Sequence, residues 1–111
     1  MGSILNSIKK LLGVAEDYNA FDVDIIMHIN TVFAILRQLG VGPVDGFLIT
    51  DESTTWVDYL SEDNKNLEAV KTYVYLKVKL VFDPPINSAV LESMKQSISE
   101  LEWRLNVEAE A

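Results

Sequence analysis

Apolar residues recur at helical spacing along most of this chain, and in one stretch they do so on two sides at once. From Asn64 to Pro85 the sequence reads NKNLEAVKTYVYLKVKLVFDPP. Leu67, Val70, Val74, Val78 and Val81 form one apolar line. Ala69, Tyr73, Leu76 and Leu80 form a second on nearly the opposite side, leaving a narrower wedge with Glu68, Lys71, Thr72 and Lys79 for water. A helix that is apolar on two flanks requires neighbours on both, so the pattern predicts a central helix with the rest of the chain packed around it. Pro84 ends it, because proline lacks an amide hydrogen and restricts the residue before it.

The remaining segments read as satellites. Ile4, Leu5, Ile8, Leu11 and Leu12 give a short first helix its apolar face, with Ser3 or Asn6 as its cap, Lys9 and Lys10 in its last turn and Gly13 as its stop. A helix this short is marginal alone and must gain stability by docking. Residues 16–21 read as a linker, with Phe21 outside a cap at Asp22. Ile25, Ile26, Ile29, Val32, Phe33, Ile35, Leu36 and Leu39 mark a second helix that ends at Gly40. Phe47 to Thr50 reads as an extended segment, either lying alone across helices or forming half of a two-stranded pairing. A short helix after Asp51 carries Trp56, Val57 and Leu60 on one face. Beyond the double proline, Asn87 or Ser88 caps a last helix whose stripe is Val90, Leu91, Met94, Ile98, Leu101 and Leu105.

The prediction is therefore a mainly all-α fold, a small bundle of four to five helices with one short extended segment. It forms a single domain over residues 1–111, with helices near 3–12, 22–39, 53–60, 65–82 and 87–105. An acidic tail over 107–111 is expected to fray. With 49% apolar residues, 111 positions suit one modest core.

Charge narrows the function. The net charge is -8, from 17 acidic and 9 basic residues. That balance opposes a surface that grips nucleic acid, since binding draws on cations neutralising phosphates, and it disfavours an anionic membrane. It leaves room for lining a path through which DNA slides without sticking. No cysteine is present, so disulfides and thiolate metal sites are excluded.

Catalytic chemistry finds little footing. His28 is the one histidine, with Asp24 a turn before it, and two ligands do not hold a structural metal. Asp22 and Asp24 point to different sides of a helix, and Asp22 is better explained as a cap. Gly40, Gly42 and Gly46 lack the pattern of a phosphate loop. No organised nucleophile is visible. The expectation is a protein that is not an enzyme and needs no cofactor or metal.

Candidate contact residues remain. Trp103 falls opposite the Leu101 and Leu105 stripe, either packing against the first helix or anchoring a partner, since aromatic residues carry much interface energy. Tyr75 and Phe82 on the edge of the central helix raise the same question.

The order of a short helix, FDVDIIMHINTVFAILRQLGVGP, an extended segment followed by a tryptophan, LEAVKTYVYLKVKLVFDPP and a last helix ending ELEWRLN resembles the head–tail connector, or adaptor, proteins of tailed bacteriophages and prophages. The resemblance covers about residues 4–106. It implies a helical, non-enzymatic subunit of the virion that forms a homo-oligomeric ring, often twelve-fold, beneath the portal protein. Such a ring extends the DNA channel, joins head to tail through the next connector or tail protein, and lets DNA pass without sequence-specific binding. It implies host cytoplasm before assembly, the virion's head–tail junction after it, and no membrane. Carried to this chain, residues 97–111 become the portal-docking region, with Trp103 and Leu105 as anchors. Residues 41–53, including Phe47, become a contact or channel-facing segment. The competing reading is a small soluble protein-binding module or regulator of phage origin.

Overall fold

The computed structural model describes residues 2–110, and it is mostly helical. Five helices follow one another: α1 (Ile4–Leu12), α2 (Asp22–Gln38), α3 (Trp56–Tyr59), α4 (Leu67–Phe82) and α5 (Ser88–Glu110). Helix α4 packs against α2, α5 and α1, and so occupies the centre. Its Leu67, Val70, Tyr73, Val74 and Val78 are buried. On the second flank Tyr73 is fully buried, while Ala69, Leu76 and Leu80 are half-buried against the core. Val81, expected in the core, is exposed in the last turn of α4.

The helix ends follow local chemistry. The Ser3 hydroxyl accepts from the Asn6 amide at 3.1 Å and caps α1. Gly13, at φ 81°, closes it: its amide donates to Lys10 O at 3.1 Å and that of Val14 to Lys9 O at 2.8 Å. Helix α2 ends the same way, with Gly40 donating to Arg37 O at 3.0 Å and Val41 to Leu36 O at 2.9 Å. The Asn87 carboxamide caps α5, accepting from Ala89 at 2.9 Å and Val90 at 3.2 Å.

Helix α1 presents Ile4, Leu5, Ile8, Lys9 and Leu12 to the interior. Leu11, expected on that face, is exposed instead, because the helix is turned to seat Lys9. Lys9, expected as a cation of the last turn, is 1% exposed. Its ammonium donates to Glu16 O at 3.0 Å and Tyr18 O at 2.8 Å and lies 2.8 Å from Asp22 Oδ1. That carboxylate oxygen is buried with no hydrogen-bond donor beyond this ion pair among the described residues. Asp22 is thus not the cap of α2, whose N-cap is Phe21, but the counter-ion of Lys9. One side chain fixes the linker over two backbone carbonyls and joins α1 to α2.

Helix α3 is shorter than expected, beginning at Trp56 rather than near 53. Thr54 and Thr55 are taken by an antiparallel bridge to the start of the chain, in which Ile4 donates to Thr54 O at 3.0 Å and Trp56 to Gly2 O at 3.3 Å. Upstream, the Ser53 hydroxyl and then its amide hold the Asp51 carboxyl below its ordinary pKa. Val57, grouped with Trp56 and Leu60, is exposed on this single turn.

The segment Phe47 to Thr50 lies alone across α2. Asn30 acts as its rung: the Asn30 amide group donates to Ile49 O at 3.0 Å, and Asn30 Oδ1 accepts from Ile49 N at 2.8 Å. Phe47 sits edge-on to Phe33 and Tyr59, with ring centroids at 5.3 and 5.0 Å. Gly42, at φ 89°, lies against the Tyr59 ring, where a Cβ would come within 2.7 Å.

Helix α5 continues to Glu110 because its end is docked, with Ala111 outside the described residues. Asn106 donates to Leu39 O at 3.3 Å, Lys65 pairs with Glu108 at 3.0 Å, and Ala109 lies so close to Gly40 that a Cβ there would stand 2.9 Å away.

Candidate functional site

Among the described residues, Lys9 is the one charged side chain that is buried, and it is paired with Asp22. Among the described residues, no group of three or more His, Cys, Asp or Glu is placed to hold a metal ion. No helix is long and apolar enough to cross a membrane. His28 is half-buried on α2 and Asp24 is exposed.

Two tyrosines carry perturbed hydroxyls. Burial raises the Tyr59 pKa above its ordinary value. Burial raises that of Tyr73 as well, helped by the Glu102 carboxylate that accepts its hydrogen bond at 2.6 Å. Both shifts keep the phenol neutral. Tyr73 thereby pins α5 to α4, with Lys77 approaching the same carboxylate at 4.0 Å.

Trp103 is 68% exposed on α5, so it does not pack on α1. It edges a cleft of about 280 Å³ lined also by Asn66, Ala69, Arg104 and Val107. Sequence spacing placed it on the outer face, where it lies. Leu105 is different: at 1% exposed it belongs to the core and reaches the cleft only from beneath. A side chain so placed offers a partner little surface while the subunit stays folded. Tyr75 is half-buried on the flank of α4.

Phe82 is half-buried at the other end of the molecule, in an aromatic row that the sequence did not reveal. Its ring meets Phe21 at 5.4 Å, and Phe21 meets Tyr18 at 5.5 Å. Tyr18, Phe21, Val23 and Val81 are all exposed apolar residues. The signal was present as two aromatics in a stretch too short for helical periodicity, where they read as linker. Phe47, the fifth candidate, lines a cleft of about 520 Å³ with Phe33, Ala34, Arg37, Asp45 and Leu48. Val90 and Ile86 were also missed as surface residues. Val90, expected in the α5 stripe, is exposed and borders a shallow cleft with Leu76 of α4.

Two of these surfaces lie far apart. Antiparallel packing puts the α4 C-terminus beside the α2 N-terminus, as the Phe21–Phe82 contact requires. The α5 C-terminus lies at the opposite end, against Leu39 and Gly40. The Trp103 cleft and the aromatic row therefore occupy opposite ends of a body with extents of 39 × 36 × 21 Å. No curated protein matches this chain, and neither does any solved structure. One family does match, described as "Phage connector protein", over residues 4–111.

Proposed function

This chain belongs to the phage connector protein family, and from that premise we propose that it is a structural, non-catalytic subunit of a head–tail connector ring beneath the portal. In that reading the ring extends the DNA channel, offers a platform to the next connector or tail protein, and resides in the virion after assembly from the host cytoplasm.

The observation that carries the reading is the pair of exposed apolar surfaces at opposite ends of one subunit: Trp103 with its cleft, and the Tyr18, Phe21 and Phe82 row. A ring needs a heterologous interface, one surface of each subunit meeting a different surface of the next. Apolar areas rimmed by polar residues mark such contacts. A net charge of -8 supports the channel role, because a negative wall does not trap duplex. The α5 segment from Ser97 onward, with Trp103 outermost, is the portal-docking region in this proposal.

The test is co-purification with the matching portal followed by electron microscopy. The expected result is a ring of this subunit on the portal, weakened by Trp103→Ala with helicity nearly intact. A protein that stays monomeric at high concentration and ignores the portal is instead a soluble binding module.

A further inference from the structure

The segment Phe47 to Thr50 crosses α2 with the period of an extended strand: Phe47 is half-buried, Leu48 exposed, Ile49 buried and Thr50 exposed. In such a chain the amide and carbonyl of one residue point to one edge, and those of its neighbours to the other. Both backbone groups of Ile49 go to Asn30, so the edge facing α2 is closed. The amides and carbonyls of Leu48 and Thr50 belong to the opposite edge, away from the Phe47 cleft. Among the described residues they make no hydrogen bond. Asn30 thus stands in for one neighbouring strand, and the place of a second is open, which makes that edge a template for another extended chain.

Charge decides what fits there. From Gln38 to Asn64 the chain carries Asp45, Asp51, Glu52, Asp58, Glu62 and Asp63 and no lysine or arginine. None of these acids pairs with a cation among the described residues, whereas every lysine and arginine from Lys65 onward has an acidic partner. A second copy is therefore the wrong occupant. Two such edges set antiparallel would bring the Asp45 turn of one copy beside Asp51 and Glu52 of the other, and like charges across a strand pair are destabilising. The other connecting stretches of the chain carry Glu16 and Asp17, Glu62 and Asp63, or Asp83, and none has a net positive charge.

We infer that the open Leu48–Thr50 edge receives an extended, lysine- or arginine-bearing segment of a different protein. The incoming backbone bonds to the free amides and carbonyls of Leu48 and Thr50, which supplies affinity. Its cations lie against Asp45, Asp51 and Glu52, which selects the partner and speeds the encounter. The inference goes beyond the connector reading and does not depend on it: it names the chemistry of an unlike partner, whether or not like subunits form a ring.

The probe is a fluorescein-labelled peptide of alternating lysine and threonine, titrated with the full chain and read by anisotropy. It is expected to bind, and its glutamate counterpart is not. Methylating alternate amide nitrogens of the peptide keeps its charge but removes donors, and is expected to weaken binding about tenfold. Thr50→Pro removes the donor on the protein side, with a loss of similar size expected at an unchanged circular dichroism spectrum. The methylated peptide carries the test if that variant does not fold. Asp45→Asn with Glu52→Gln, two exposed side chains, is expected to weaken binding at low salt and to match the parent at high salt. A lysine peptide that does not bind overturns the inference. Equal binding of the plain and methylated peptides reduces the contact to charge attraction and overturns the pairing. Self-association that Thr50→Pro abolishes assigns the edge to a second copy and overturns it too. A protein that binds the peptide in this way but ignores the portal supports the inference and removes the connector reading.

Discussion

The two ends of this chain are held to α4 by opposite means. At the N-terminal end, α1 and the linker close over a buried ammonium that reaches two backbone carbonyls and the Asp22 carboxylate. At the C-terminal end, α5 runs for 23 residues yet buries only Ile98 and Leu105 fully, and it is pinned by Tyr73 and by a few contacts near its end. The first region turns its cation inward, even though its linker also exposes Tyr18 and Phe21. The second leaves a long face bare, and a helix with more surface than its own subunit covers is suited to contact something else.

The sharpest way to break this contrast is Lys9→Met. Removing one partner of a buried ion pair leaves the other charge uncompensated, at a cost of about 3–5 kcal/mol, and here two backbone carbonyls are stranded as well. Urea unfolding is expected to show a loss of that size, and a loss below about 1 kcal/mol would erase the distinction between the two regions. Tyr73→Phe probes the other side. Loss of a hydrogen bond to a carboxylate is expected to cost about 1.5–3 kcal/mol. It should also speed amide hydrogen exchange in α5 from Ile98 to Leu105 while leaving α1 protected.

A milder effect lies at alkaline pH. Tyr59 and Tyr73 have hydroxyl pKa values raised in the folded state, chiefly by burial. Below about pH 10 both phenols are neutral in both states and stability is unaffected. Above it the unfolded chain releases these protons first, so stability falls as pH rises. Tyr59→Phe is expected to make that fall shallower in a pH series of thermal melts. The smallest effect on stability belongs to Trp103→Ala, within about 0.5 kcal/mol as for other exposed positions, even though assembly is where it is expected to act.

Much of the frame was legible in the amino-acid pattern. The double apolar line of Leu67 to Val78 marked the central helix because helical period and two-sided burial leave the same imprint. Gly13, Gly40 and the double proline marked ends because left-handed backbone and a missing amide admit few residues. The outward position of Trp103 followed from its spacing against Leu101 and Leu105. What stayed hidden depends on three dimensions. Lys9 reads as a surface residue unless the linker is known to fold back on it. The Tyr18–Phe21–Phe82 row joins residues about sixty positions apart. Ile86 lies outside any helical period, so nothing in the spacing said whether it turned inward or out.

The Lys9 contact has a consequence for how this sequence can drift. Two of its three partners are main-chain carbonyls, which every residue type supplies. Positions 16 and 18 are thus free to change identity without disturbing what they do there, whereas 9 and 22 must change together or not at all. Related chains should show the imprint as a lysine and an acid that travel as a pair, thirteen places apart, across a stretch that otherwise varies.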